Sequence, residues 1–179
     1  MNSNPIPSTR PTTESELESL LRQAYSFAKR GDYTSAIALC DWLIEEPSTR
    51  VAGLRKRAAV HEHRDDVHHA IEDLEAVIST VADEAADMYS LGLLYLQVNR
   101  LDDAAVILGK GVQICVNEQF EYYLNPCRIL RAEALLRLRR ADAALVELRQ
   151  LPPGYSTHIH DRGNRTNEVM TAEAQAMLP

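Results

Sequence analysis

The sequence repeats small side chains at a constant interval, and no other feature constrains its fold as strongly. Alanines recur every 34 residues in one column, and a column of Ala or Gly with the same spacing precedes them by 12 residues. A third column, four residues after the first, stays apolar. The columns are Ala36, Ala70 and Ala104; Ala24, Ala58 and Gly92; and Cys40, Leu74 and Leu108. A fourth unit fits after an insertion of about six residues and contributes Ala132, Ala144 and Leu148.

Columns that recur in register predict pairs of antiparallel helices. Two helices approach closely only where the facing side chains are small, so both helices of a pair need Ala or Gly at their crossing. Larger side chains then fill the space around the contact. We expect this role for Leu20, Phe27, Leu54, Leu91, Tyr95 and Leu135. The sequence therefore predicts an all-α solenoid of about four helix pairs, with one further helix at the C-terminus.

Turn and capping signals set the limits of the predicted helices. Asp and Asn in the turns near Asp32, Asp66 and Asn99 suit N-caps of each second helix. The predicted helices cover 14–30, 33–46, 50–64, 67–81, 85–98, 101–116, 120–138, 141–150 and 167–178. The expected organisation is a disordered or extended segment at 1–13, a solenoid at 14–151, a loop at 152–165 and a capping helix at 166–179. Within the solenoid, the units cover about 17–50, 51–84, 85–118 and 120–151.

Composition argues against several classes of function. The formal net charge of −7 argues against a surface that binds nucleic acid. No apolar run approaches the roughly 20 residues that span a bilayer, and the N-terminus lacks an apolar signal core. Three single cysteines suit neither a zinc framework nor a disulfide framework. A cytoplasmic protein without nucleic-acid or membrane partners is expected.

Two histidine-rich segments raise the question of a metal site. The first segment runs from His61 to His69. The metalloprotease pattern needs a second His four residues after the first, and none follows His61 at that distance. His61 also falls in the column of Phe27 and Tyr95. We therefore expect His61 to be packed, and the other imidazoles to diverge around a turn. The second segment, His158-Ile159-His160-Asp161, lacks a further ligand set. The prediction is no metal, no cofactor and no catalytic residue; the alternative, a metal-dependent hydrolase, would carry stoichiometric metal.

The repeat resembles the tetratricopeptide repeat over about Leu17 to Leu151. The resemblance rests on the 34-residue period, on Leu91-Gly92 followed by Tyr95, and on Gly31-Asp32-Tyr33-x-x-Ala36. The sequence departs from the family where Leu usually precedes the small residue. Those positions hold Gln23, Arg57 and Arg131. The resemblance implies a right-handed superhelix whose first helices line a concave groove for a segment of another protein.

The predicted groove mixes aromatic, aliphatic and charged side chains, which suits a peptide or helix from a protein partner. Its expected binding residues are Tyr25, Lys29, Arg55, Glu62, His63, Tyr89, Leu93, Gln97, Ile129, Glu133 and Arg137. In the alternative interpretation, the apolar members pack against the C-terminal helix. A second open question concerns residues 62–87, which contain nine acidic residues and one basic residue, Arg64. This region is either a solvated helix face or an acidic patch for a basic partner.

The C-terminal segment resembles that of certain bacterial tetratricopeptide proteins encoded beside Rhs-type and other polymorphic toxins. Those proteins are thought to act as immunity proteins or toxin-associated adaptors. The matching residues are Leu151, Pro152, Gly154, Tyr155, Ile159, Arg165 and Thr166. The resemblance implies a non-enzymatic immunity protein that binds and neutralises a cognate toxin, as a monomer or weak homodimer. The alternative is a chaperone or adaptor for a secreted effector; the groove, the acidic region and the C-terminal segment all stay open as the main interface.

Overall fold

The computed structural model describes residues 6–81 and 84–179, which form helices joined by short turns and one β-hairpin. The chain divides into two compact units, Met1–Ala82 and Asp83–Pro179. The first unit contains α1 (Glu14–Lys29), α2 (Tyr33–Glu45), α3 (Arg50–His63) and α4 (Val67–Thr80). The second contains α5 (Ala85–Gln97), α6 (Leu101–Glu118), α7 (Leu124–Arg137), α8 (Ala141–Leu148), β1 (Ser156–Ile159), β2 (Gly163–Thr166) and α9 (Asn167–Ala176). In the described ranges, every helix is too short or too polar to cross a bilayer.

The small-residue columns lie buried where the two helices of each pair meet, as the spacing predicts. All eight Ala or Gly positions of the two columns are buried, and so is the apolar column beside them. Gly92 shows how close the approach is, because a Cβ built there would lie 2.4 Å from Cγ of Leu108 in the next helix. Any larger side chain at this crossing has to displace the Leu108 side chain or push the two helices apart.

A left-handed residue recurs in the turn of every helix pair. Gly31, Asp65, Asn99 and Arg139 have φ values of 79°, 62°, 62° and 60°, and they follow the same spacing as the repeat. This backbone conformation is easy for Gly and tolerated by Asp and Asn, whereas Arg pays a steric penalty. The repeat is therefore encoded in the turns as well as in the helix crossings.

Two of the three predicted turn caps are present. The carboxylates of Asp32 and Asp66 accept hydrogen bonds from the backbone N–H groups of Ser35 and His69, at the starts of α2 and α4. The prediction for Asn99 is wrong: Arg100 precedes α6, and the Asn99 side chain instead accepts a hydrogen bond from another helix. Its left-handed backbone places it one residue too early to cap the helix.

The described part of the N-terminal segment is irregular and packs against the first unit. The guanidinium of Arg10 lies 4.1 Å from the ring centroid of Trp42, and it forms an ion pair of 2.8 Å with Glu45. Thr13 opens α1 with a capping box, which it forms with Glu16. The prediction for residues 1–5 lies outside the described residues.

The helix predicted at 120–138 begins later, at Leu124. Gln119 adopts a left-handed conformation with φ of 55° and ends α6. Pro126 has no N–H and is disfavoured inside a helix, so it is accommodated in the first turn of α7. The residues between, Phe120 to Tyr123, form a connection instead of a helical turn.

The prediction of a plain loop at 152–165 is also wrong. Strands β1 and β2 pair in antiparallel fashion, with Ser156 opposite Thr166 and Ile159 opposite Gly163. The turn between them uses positive φ at Asp161 and Gly163, as a tight hairpin connection requires. The β-branched Thr and Ile residues here favour extended structure, and only four residues in each strand make the signal weak.

Two arginines that replace the usual Leu of the repeat form the same ion pair in two different helix pairs. Arg57 of α3 contacts Asp73 of α4 at 2.6 Å, and Arg131 of α7 contacts Glu147 of α8 at 2.5 Å. In both pairs the acid follows the arginine by 16 residues. Arg57 also contacts Asp41 at 2.5 Å, so it joins α2, α3 and α4.

We expect Gly92→Ala to destabilise the second unit by about 1 kcal/mol. Overpacking against Leu108 costs about 1–3 kcal/mol, and the higher helix propensity of Ala returns up to about 1 kcal/mol. Gly109→Ala is the matched control, since its Cβ would meet only the end of the Arg131 side chain, at 3.1 Å. Urea unfolding followed by circular dichroism checks both variants. Equal stability of the two would contradict the close crossing.

Candidate functional site

In the first unit, the structure brings together three of the predicted binding residues. The rings of Tyr25 and His63 meet edge-on, with 6.3 Å between their centroids. The ammonium groups of Lys29 and Lys56 lie 5.1 and 5.4 Å from the Tyr25 ring centroid. The Tyr33 hydroxyl lies 3.2 Å from Nδ1 of His63. Tyr25 therefore presents a partly exposed aromatic ring between two positive charges.

The other two predicted residues of this unit are less well placed for a common site. Arg55 is half-buried on α3, and Glu62 is exposed near the end of the same helix. Lys56 and Tyr33 were not predicted as site residues, because their contacts with Tyr25 and His63 join different helices. Helical spacing alone does not reveal such a contact.

In the second unit, three predicted residues share one face of α5. Tyr89, Leu93 and Gln97 follow one another at four-residue intervals, and all three are half-buried. At one end of this face, the ring centroid of Tyr89 lies 5.4 Å from that of Tyr123. This contact connects α5 to the connection between α6 and α7.

That connection carries an exposed aromatic cluster, which we define as Phe120, Tyr122 and Tyr123. Tyr122 and Tyr123 meet edge-on at 4.8 Å, and Phe120 lies 6.0 Å from Tyr123. Tyr122 is 73% exposed and Phe120 is 46% exposed. The sequence does contain a signal, which is three aromatics within four residues of the insertion. Their exposure was not predicted because these residues were expected to be helical. Grouped exposed aromatics of this kind are typical of protein-binding surfaces.

At the other end of the α5 face lies a cavity of about 240 Å³ between α5 and the hairpin. Its lining is Leu93, Leu96, Gln97, His158, Ile159 and His160. Leu96 and Ile159 are buried and give the cavity an apolar floor, whereas the two imidazoles are exposed at its edge. The cavity is able to hold an apolar side chain from another molecule.

Two of the three predicted binding residues of α7, Ile129 and Glu133, are buried and not available to a partner, so the site prediction is wrong for these two. Ile129 and Glu133 are both fully buried, because β1 and α9 pack over α7. Arg137 is occupied within the fold: it donates to the Leu96 carbonyl at 3.1 Å and to the Asn99 side chain at 2.7 Å. The alternative, in which the C-terminal helix covers apolar groove residues, holds for α7.

An ion cluster, Glu133, Arg162, Arg165 and Glu173, fastens the C-terminal elements to α7. Glu133 lies 3.2 Å from Nε of Arg165 and 3.4 Å from Nε of Arg162. Both arginines also contact Glu173 of α9. Burial alone would raise the pKa of Glu173, but hydrogen bonds from Arg165 and Arg162 outweigh it and lower that pKa. The Glu173 carboxylate therefore stays ionised beside the two guanidiniums.

The C-terminal motif residues build this covering structure. Leu151 and Ile159 are buried. The N–H of Gly154, at φ of 74°, donates to Glu168 at 2.6 Å. Thr166 caps α9 by accepting a hydrogen bond from the N–H of Val169. The motif thus has a structural role in the second unit.

The three cysteines are poor candidates for chemistry. Cys40, Cys115 and Cys127 are all buried and free. Burial raises the pKa of Cys40 and of Cys127 to about 12. The nucleophilic thiolate is therefore suppressed at neutral pH.

The chain is similar to solved structures built from tetratricopeptide-like repeats. A kinesin light chain-like protein of Podosopora anserina with nearly identical repeats is 19% identical, with a TM-score of 0.62 and coverage of 78% of this chain and 75% of that chain. MamA AMB-1 is 22% identical, with a TM-score of 0.58 over 76% of this chain and 72% of its own. A further structure of MamA is 17% identical, with a TM-score of 0.60 over 90% and 77%. No family model and no curated protein matches the chain. The likenesses confirm the predicted all-α, tetratricopeptide-type fold.

Proposed function

We propose that this chain is a protein-binding module and that the α5 face of the second unit is its main binding surface. The observation that carries the proposal is the apolar cavity at Leu93, which lies on the same α5 face as Tyr89, and Tyr89 in turn contacts the aromatic cluster. An aromatic platform and a pocket together supply the anchors that dominate binding energy at protein interfaces. The face spans two helical turns, about 12 Å at 1.5 Å per residue.

Such a surface suits one apolar side chain of the partner in the cavity and a second apolar group on the aromatic cluster. An amphipathic helix offers anchors at that spacing, and so does an extended segment. The exposed acids Glu118 and Glu121 flank the cluster, so a positively charged partner would also gain favourable electrostatics.

The leading specific role is that of a cytoplasmic immunity protein, which binds a toxin domain and blocks its active site. Its support is the resemblance of the C-terminal motif and the acidic charge of the chain. The alternative role is a chaperone or adaptor for a secreted effector, which would be held in the same surface. In both roles the module acts as a monomer or weak homodimer and without a catalytic step of its own.

Co-expression with the toxin or effector domain encoded by the adjacent gene separates the two roles. Protection of growth against a toxic partner supports immunity. Improved solubility or export of the partner without protection supports the chaperone role. A partner that neither binds nor changes in either assay contradicts both.

We expect Leu93→Ala and Tyr122→Ala each to weaken partner binding by at least about 1 kcal/mol, roughly a fivefold change in Kd. The first removes a wall of the cavity, and the second removes the most exposed ring of the cluster. Titration calorimetry with the purified partner measures the change. Val146→Ala is the matched control, because Val146 is an exposed apolar residue on α8, outside this face. Unchanged affinity in both test variants would move the interface elsewhere.

A further inference from the structure

The turn between α3 and α4 brings two imidazoles and a carboxylate together, although the sequence predicts a packed His61 and a diverging His69. One ligand atom from each of His61, Asp66 and His69 lies within 4.8 Å of the other two. Oδ1 of Asp66 is 2.7 Å from Nδ1 of His69, and Oδ2 is 3.6 Å from Nδ1 of His61. The two imidazole rings stack with 5.1 Å between their centroids. We propose that these three side chains form a binding site for a zinc ion.

A second carboxylate lies near the other ring nitrogen of His61. Its Nε2 lies 3.9 Å from Oδ2 of the buried Asp73, and Asp73 is itself fixed by Arg57. This distance is too long for a hydrogen bond, but the negative charge favours a proton on Nε2. Nδ1, which lies 3.6 Å from Asp66, is then the nitrogen available to a metal ion. Carboxylates beyond the ligands are common around metal-binding histidines.

The other two ligands complete a set that zinc accepts. The hydrogen bond from His69 holds the pKa of Asp66 well below its ordinary value, so the carboxylate is ionised. Zinc would take the place of the proton that Nδ1 of His69 shares with Asp66. Zinc takes nitrogen and oxygen ligands at roughly 2.0–2.2 Å, which places tetrahedral ligand atoms about 3.3 Å apart. The exposed ring of His69 reaches this spacing by rotating about its side-chain bonds.

A cation already contacts two of the three ligands. The guanidinium of Arg64 contacts Asp66 and lies 3.4 Å from Nδ1 of His61. Its contact with the Asp66 carboxylate shows that this turn favours a positive charge. Arg64 is exposed on one side, so it can swing into solvent when a divalent ion with more coordination bonds takes its place. The site lies in the first unit and is independent of the proposed binding surface on α5.

Calorimetric titration of the tag-free full chain with zinc chloride near pH 7.5 tests the proposal. We expect one zinc ion per chain and a higher melting temperature in its presence, because zinc binds the folded state. His69→Ala and His61→Phe should each weaken binding at least about tenfold. Phe suits position 61 because the equivalent positions of other repeats hold Phe27 and Tyr95, and circular dichroism checks that this variant stays folded. Arg64→Ala should tighten binding.

His68→Ala is the matched control, since it removes a neighbouring imidazole outside the ligand set and should leave zinc affinity unchanged. Absence of zinc binding to the wild-type chain would overturn the proposal. It would also be overturned if folded His69→Ala and His61→Phe bound zinc as tightly as the wild type, because surface histidines would then account for the binding.

Discussion

Glu133→Ala is expected to destabilise the second unit by about 3–5 kcal/mol, because it breaks a buried ion pair and leaves the opposite charge without its partner. The Glu133 side chain is 0% exposed, and that of Arg165 is 10% exposed. Without Glu133, the guanidinium of Arg165 loses its partner on α7 and keeps its contact with Glu173. Urea unfolding followed by circular dichroism at 222 nm measures the loss.

The matched control for this variant is Asp102→Ala. Asp102 forms an ion pair of 2.8 Å with Arg140 in the same unit, but both side chains are more than half exposed. Exposed pairs contribute about 0–1 kcal/mol, since solvent screens both charges. If the two variants lost similar stability, Glu133 would not be the buried anchor that its contacts indicate.

The second large effect is expected for Asp73→Ala, which should destabilise the first unit by about 3 kcal/mol. The Asp73 side chain is 5% exposed, whereas that of Arg57 is 27% exposed, so water compensates part of the lost pairing. The hydrogen bond with Asp73 is the main reason that the pKa of Arg57 is raised, so this carboxylate is the main group that stabilises the charged guanidinium. Trp42 is the only tryptophan and lies in α2, so its fluorescence reports unfolding of this unit.

Asp41→Ala tests which of its two carboxylate partners supports the guanidinium of Arg57. Asp41 also pairs with Arg57, but its side chain is 48% exposed. We expect a loss of no more than about 1 kcal/mol. A larger loss for Asp41→Ala than for Asp73→Ala would place the main support of Arg57 on α2 and would refute the assignment.

The helix pairs were predictable because their determinants are local and recur. Ala58 and Ala70 each report a crossing, and Asp32 and Asp66 report helix starts within a few residues. The ion pair of Arg57 with Asp73 was also within reach of the sequence. Arg131 and Glu147 repeat its 16-residue spacing, which is a signal that the family pattern of Leu at this position conceals.

The main error in the predicted site arises because helical periodicity identifies a face but not what covers it. Glu133 lies on the expected face of α7, yet the hairpin and α9 bury it there. Conversely, the exposure of Tyr122 depends on where α6 ends and where α7 begins. Gln119 sets the first limit and Pro126 the second. Four-residue strands are too short for alternation to distinguish them from a loop.

The contacts that α9 makes have a consequence for assembly. This helix packs against α8 and α7 in the way that the opening helix of another repeat would. The faces of α7 and α8 that a further repeat would stack on are therefore covered from within the chain, and any helix that stacked there would first have to displace α9.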